Sequence, residues 1–82
     1  MNEKQIGKIT HFFEKIRVAV INLTDKLNIG DTIHIIGETE DFTQVVTSMQ
    51  VEHQNIQSSK PGDVVGLKVD QNVREGDKVF LV

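Results

Sequence analysis

The sequence predicts an all-β fold, a small barrel of about six strands that is closed or nearly closed, and three observations predict it. Gly-Asp occurs at Gly30-Asp31, Gly62-Asp63 and Gly76-Asp77, and each pair opens a run rich in β-branched residues. Glycine tolerates the positive φ of a tight turn, and the following Asp can accept a nearby backbone N–H, so each pair reads as a strand entrance. The chain has 82 residues with 38% hydrophobic content, four Phe, no Trp and no Tyr, which permits one core built from Ile, Val and Leu. A domain this short buries only about 60% of its unfolded surface, so short strands must curl around that core to cover it.

Residues 1–5 read as a flexible polar leader, and residues 6–82 as a single β-barrel domain. The first strand is expected at 6–12. Residues 12–23 fit two periods: Phe12, Phe13, Ile16, Ala19, Val20 and Leu23 share a helical face, while Ile16, Val18 and Val20 alternate as a strand would. A helix would leave Val18 and Ile21 near its polar side, and Ile16, Val18, Val20 and Ile21 are all β-branched, which favours a second strand over 16–23.

The third strand is expected at 31–37 and the fourth at 42–51, where Phe42, Val45, Val46, Met49 and Val51 fail to alternate and a bulge near Val45-Val46 would reconcile them. Lys60-Pro61-Gly62-Asp63 places Pro and Gly at the centre of a type II turn before the fifth strand at 64–69, and the sixth spans 78–82. The first and third Gly-Asp turns share a longer pattern, with Leu27 or Val73 three residues before the Gly and Ile33 or Val79 three after it; the middle copy has Ser59 at the first apolar position.

Twelve acidic residues against nine basic ones give a net charge of −3, the wrong sign for an unselective polyanion binder, although a local basic patch remains open. The absence of Cys removes disulfides, thiolate nucleophiles and Cys-ligated zinc, and fits a cytoplasmic setting. The longest apolar stretch, Val18-Ala19-Val20-Ile21, is too short to span a bilayer, so no membrane partner is expected. His11, His34 and His53 are too far apart for a metal-ligand spacing, and no cofactor is expected.

No set of residues supplies a nucleophile, an oriented base and an oxyanion site, so the chain reads as a binding module and not an enzyme. Ser58-Ser59-Lys60 reads as turn and loop, Glu52-His53 as the solvated end of the fourth strand, and Glu38, Glu40 and Asp41 as a solvated acidic connection. The functional signal lies in Lys8, Lys15 and Arg17 on the first two strands beside His11, against the alternative that exposed strand charges only keep a barrel soluble, and in Phe12-Phe13, where one ring packs in the core and the other either packs there or in the turn as well or serves as a platform for a base or an anchor for a partner.

Gly7-Lys8-Ile9-Thr10, then Leu27 to His34 around the first Gly-Asp, Lys60 to Leu67 around the second and Val73 to Val79 around the third together resemble the Greek-key β-barrel second domain of elongation factor Tu and related translation GTPases. The same arrangement, with Phe42-Thr43-Gln44-Val45-Val46 and Val69-Asp70-Gln71-Asn72-Val73, also resembles the C-terminal barrel of the collagenase-like peptidase family, some members of which act in tRNA modification, and short stand-alone elongation factor-like proteins. The phosphate loop of the GTPases is absent, so no nucleotide is expected.

The translation-factor resemblance implies RNA, tRNA or a ribosomal component as partner, through Lys8, His11, Phe13, Lys15, Arg17 and Gln50. Gln50 stands where that family has an acidic residue touching the terminal adenine. The peptidase resemblance implies a protein partner instead, a separately encoded peptidase-like or tRNA-modifying enzyme on which the barrel docks.

Overall fold

The computed structural model describes residues 3–82, and among them every regular element is a β-strand. Strands β1 (Lys4–Phe13) and β2 (Val18–Leu23) form an antiparallel hairpin, so the ambiguity over 12–23 resolves as two strands and a turn. β3 (Leu27–Asn28) precedes the hairpin of β4 (Thr32–Ile36) and β5 (Asp41–Val45); β6 (Met49–Val51) and β7 (Gln54–Asn55) form another; β8 (Ser58–Ser59), β9 (Val64–Lys68) and β10 (Lys78–Leu81) follow. Eight of these make one antiparallel sheet in the order β5-β4-β10-β1-β2-β9-β6-β7, and β3 pairs separately with β8.

The three Gly-Asp turns have one geometry. Gly30, Gly62 and Gly76 all have φ of 94°, and the N–H groups of Asp31, Asp63 and Asp77 each donate to the carbonyl three residues back at 3.1 Å. Each Asp carboxylate returns the bond by accepting from that same earlier residue, the N–H of Asn28, Lys60 or Arg74, at 2.9–3.1 Å. A type II turn with an Asx bond therefore precedes β4, β9 and β10, as Pro61-Gly62 and its counterparts require. The apolar slot before each turn is buried in every copy: Leu27 and Val73 fill it with hydrocarbon, and Ser59 fills it by donating its Oγ to the Leu27 carbonyl at 3.0 Å.

Four expectations need correction. The single strand expected at 42–51 is two strands with different neighbours, β5 on β4 and β6 on β9, with no bulge to reconcile them. The break comes at Val46, whose N–H donates to Asp31 O at 2.8 Å and whose carbonyl accepts from Gly30 N–H at 2.9 Å, so its backbone joins the first Gly-Asp turn and leaves β4. Lys15 and Arg17 lie on neither strand but in the β1–β2 turn, with Ile16 between them 61% exposed. Ser58 and Ser59 form a strand. β1 begins at Lys4, with Lys4 and Gln5 of the expected leader paired to Leu81 and Phe80 of β10; Met1 and Asn2 lie outside the described residues.

The inward side chains meet in one aliphatic cluster, with Ile9, Ile21, Ile33, Leu67 and Val79 among those at 1% exposure or less. Phe12 packs against this cluster and Phe13 does not. At the β5 end of the sheet, buried Gln44 bridges to the exit of β9: its Nε2 donates to Lys68 O at 2.9 Å, and its Oε1 accepts from Asp70 N–H at 2.8 Å. No helix among the described residues is long and apolar enough to cross a membrane.

Candidate functional site

β2 is apolar at both parities. Ala19 and Ile21 point into the core, which forces Val18 and Val20 onto the outer face. The pairing register sets their neighbours in three cross-strand rows. Phe13, Val18 and Lys68 form one; His11, Val20, Gly66 and Gln50 the next; Lys8, Asn22 and Val64 the third.

Gly66 puts a dent in the middle row, because a Cβ there would stand 3.3 Å from Val18 Cγ1 and 3.9 Å from the Gln50 carbonyl. Phe13, Ile16, Val18, Val20 and Val64 wall the dent, with Gln50, Glu52 and His53 along one side, enclosing a cavity of about 270 Å³. Phe13, Ile16 and Val64 are 48%, 61% and 52% exposed, so much of the large apolar surface left open to water is gathered at this one place.

The two turns that frame the cavity hold strained residues. Arg17, Glu52 and His53 have φ of 56°, 51° and 65°, the left-handed region, and no other non-glycine residue among the described ones does so. Glu52 and His53 are the two central residues of the β6–β7 turn, both with positive φ, a geometry that favours Asn-Gly. L-residues there cost roughly 1–2 kcal/mol each. Where the chain only needs to turn, at the Gly-Asp corners, it uses glycine.

Of the six residues singled out from sequence, the structure gathers three. Phe13 and Gln50 line the cavity, and the His11 ring stacks edge-on against Phe13 with centroids 4.4 Å apart while its Nδ1 faces Glu75 at 3.3 Å. Gln50 also donates to Asn55 Oδ1 at 3.0 Å. Lys8 sits one row away on the same face, directly opposite Lys78 of β10. Lys15 is exposed in the β1–β2 turn. Arg17 turns away, its guanidinium donating to Asp70 O at 2.8 Å and to Asn72 Oδ1 at 3.4 Å, which holds the loop after β9.

Sequence reasoning passed over Val18, Val20, Val64, Gly66 and Lys78. The legible signal was the unbroken run Val18-Ala19-Val20-Ile21, since a strand with one wet face should alternate.

A second cluster of titratable groups lies on the β4–β5 hairpin. Asp41 meets His34 Nε2, and Glu3 meets Nδ1 at 2.8 and 3.0 Å; these two carboxylates, Asp41 first, hold the imidazolium above its ordinary pKa of 6.5. The expected solvated acidic loop is partly internal. Glu40 lies against buried Asp77, with one of its carboxylate oxygens buried and unpartnered. Burial pushes the Asp77 carboxyl up, while the Thr39 hydroxyl and then Asp77 hold Glu40 down.

No protein-family model matches the chain. It is 46% identical over 79 residues to an uncharacterised protease of Methanocaldococcus jannaschii, a match covering 95% of this chain and 19% of that protein, so the chain spans about a fifth of the curated relative's length. The fold is similar to the C-terminal domain of a Geobacillus thermoleovorans protein assigned as a U32 peptidase, with a TM-score of 0.90 at 20% identity over 96% of this chain and 92% of that one. The selenomethionine form of the same domain aligns with a TM-score of 0.88, covering 93% of this chain and 96% of that one. These matches bear on the peptidase side of the resemblance drawn from the sequence.

Proposed function

We propose that this chain is a non-catalytic β-module of a U32-type peptidase system, docking on a peptidase-like or tRNA-modifying enzyme body through the outer face around Gly66. The observation that carries this reading is the 46% identity to a stretch amounting to only 19% of a protease, because the fold there is one part of a larger enzyme. The chain's own residues support it. Phe13, Ile16 and Val64 offer water an apolar area that a protein surface would cover, and paired strands hold Phe13 and Val64 in place without further ordering cost. The absence of Cys fits a cytoplasmic partner.

A second reading, RNA binding, is favoured by Gln50 and Phe13 sharing one cavity, since an amide edge and an aromatic ring together suit an unstacked base. The two readings separate in one experiment: affinity capture with the 82-residue chain from source lysate, followed by mass spectrometry and RNA sequencing. Docking predicts enrichment of a peptidase-like protein, lost on Val64→Asp, with no co-enriched RNA. Enrichment of RNA that falls steeply with salt favours the second reading, and capture of neither sinks both.

A further inference from the structure

Gly37 leaves room for two carboxylates to meet. A Cβ there would collide with Asp77 Oδ1 and stand 2.9 Å from Glu40 Oε1, so both oxygens lie against a bare Cα. Asp77 is 4% exposed and the Glu40 side chain 12%. Glu40 Oε1 is buried and finds no hydrogen-bond donor among the described residues. Two ionised carboxylates offer each other only acceptors, and a buried acceptor left unpaired is costly. One proton held between them supplies the missing bond.

The two partners differ in freedom. Asp77 is pinned: its Oδ2 accepts from Arg74 N–H at 3.0 Å, its N–H donates to Arg74 O at 3.1 Å, and its carbonyl accepts from Ile9 N–H at 2.8 Å. Glu40 belongs to the β4–β5 turn, which Gly37 closes by donating its N–H to Glu40 O at 2.8 Å and in which Glu38 and Thr39 are exposed. Beyond Asp77, the Glu40 carboxylate is met by the Thr39 hydroxyl and, at 3.8 Å, by the Arg74 guanidinium, itself 67% exposed. We infer that Glu40 and Asp77 form a proton-operated latch, in which one shared proton holds the β4–β5 turn against the corner before β10 and its loss swings Glu40 out into water. Glu40 also lines an open polar cleft with Arg17 and Asp70, so release widens that cleft.

The other charges nearby do not replace the proton. Glu38 and Lys78 border Gly37 on its outer side, Asp41 is taken by His34, and the Arg17 guanidinium by the Asp70 carbonyl. Burial first, and then Glu40, push the Asp77 carboxyl above its ordinary 3.8 against the pull of the Arg74 N–H, while the Thr39 hydroxyl and then Asp77 hold Glu40 below its ordinary 4.5. The Asp77 contribution is complete below 3.8 and lost as pH rises through its folded value; the Glu40 contribution is complete above 4.5 and lost as pH falls through its own. The latch is closed between the two folded values.

Carboxyl ¹³C shifts and the ¹⁵N heteronuclear NOE of the Glu38, Thr39 and Glu40 amides, followed on the full chain from about pH 3 to about pH 8, test this. Asp77 Cγ should titrate above 3.8, Glu40 Cδ should report the same step, and the three NOE values should fall as that step is crossed. Asp77→Asn keeps the side chain's size, an acceptor for Arg74 N–H and a donor for Glu40, so its NOE values should stay flat over the same range. Glu40→Gln removes the neighbouring charge and should bring the Asp77 step down. An Asp77 Cγ that titrates at 3.8 or below, a step unmoved by Glu40→Gln, or a turn that loosens equally in Asp77→Asn overturns the latch. The cleft shares no lining residue with the dent at Gly66, so the latch and the docking reading stand or fall separately.

Discussion

Asp31, Asp63 and Asp77 occupy equivalent positions, and their different surroundings show how much a single side chain takes from its neighbours. All three close the same Asx bond, but only Asp77 is nearly fully buried, at 4% exposure, and only it meets a second carboxylate. His34 is the residue whose protonation has the clearest consequence. Both ring nitrogens face carboxylates, so the contact is complete only when the ring carries both protons. The folded-state pKa lies above the ordinary 6.5, so the stabilisation is fully present below that value and is lost as pH rises through the folded pKa. Thermal unfolding followed between mildly acidic and alkaline pH should therefore show a midpoint that falls with rising pH above about 6.5. In His34→Gln that pH dependence should be largely gone, and an unchanged slope would show that the decline has another source.

At the scale of elements, the hairpins differ in how they are secured. β1 and β2 pair along six registered positions and continue into β9 and β10 on either side, so their geometry is overdetermined. β5 lies at the end of the sheet order and has β4 on one side only. Gln44 supplies the other side, because its amide satisfies both a carbonyl and an N–H at the exit of β9. Gln44→Leu keeps the volume but strands Lys68 O and Asp70 N–H, a loss of about 1–3 kcal/mol. Urea unfolding should report that loss, and hydrogen exchange should show β5 amides losing protection before those of β1 and β2. Uniform loss across the sheet would mean that Gln44 does not act locally.

For the whole molecule, one sheet has two chemically different faces, and the proposed docking uses only the outer one. The inner face of β9 buries Val65 and Leu67 completely, while its outer face presents Val64, Gly66 and Lys68. Stability and docking should therefore separate by parity along a single strand. Leu67→Ala should cost about 2–5 kcal/mol, since it opens a cavity in the aliphatic cluster, whereas Val64→Asp should cost far less and abolish capture of the peptidase-like body. Chemical denaturation and the capture assay on the same two proteins measure both. A comparable destabilisation of the two would contradict the division of labour.

The strand content, the three Gly-Asp corners and the aliphatic core were determined by the sequence alone, because each depends on local quantities: the φ that glycine permits, the stiffness of β-branched side chains and the parity of apolar residues. Phe12-Phe13 was legible only as an aromatic pair; that Phe12 packs on the core and Phe13 stays 48% exposed follows from the bulged pairing of β1 with β2. What only the tertiary structure decided is adjacency. The 42–51 segment breaks at Val46 because its backbone finds partners in the Gly30-Asp31 turn, a competition that no local pattern encodes. Phe13, Val20, Gly66 and Gln50 share one cavity, and Lys8 meets Lys78, because cross-strand register joins positions far apart in the chain. The grouping of Lys8 with Arg17 failed on the same ground, since a left-handed turn swings Arg17 toward Asp70 and Asn72 and away from the face that Lys8 occupies.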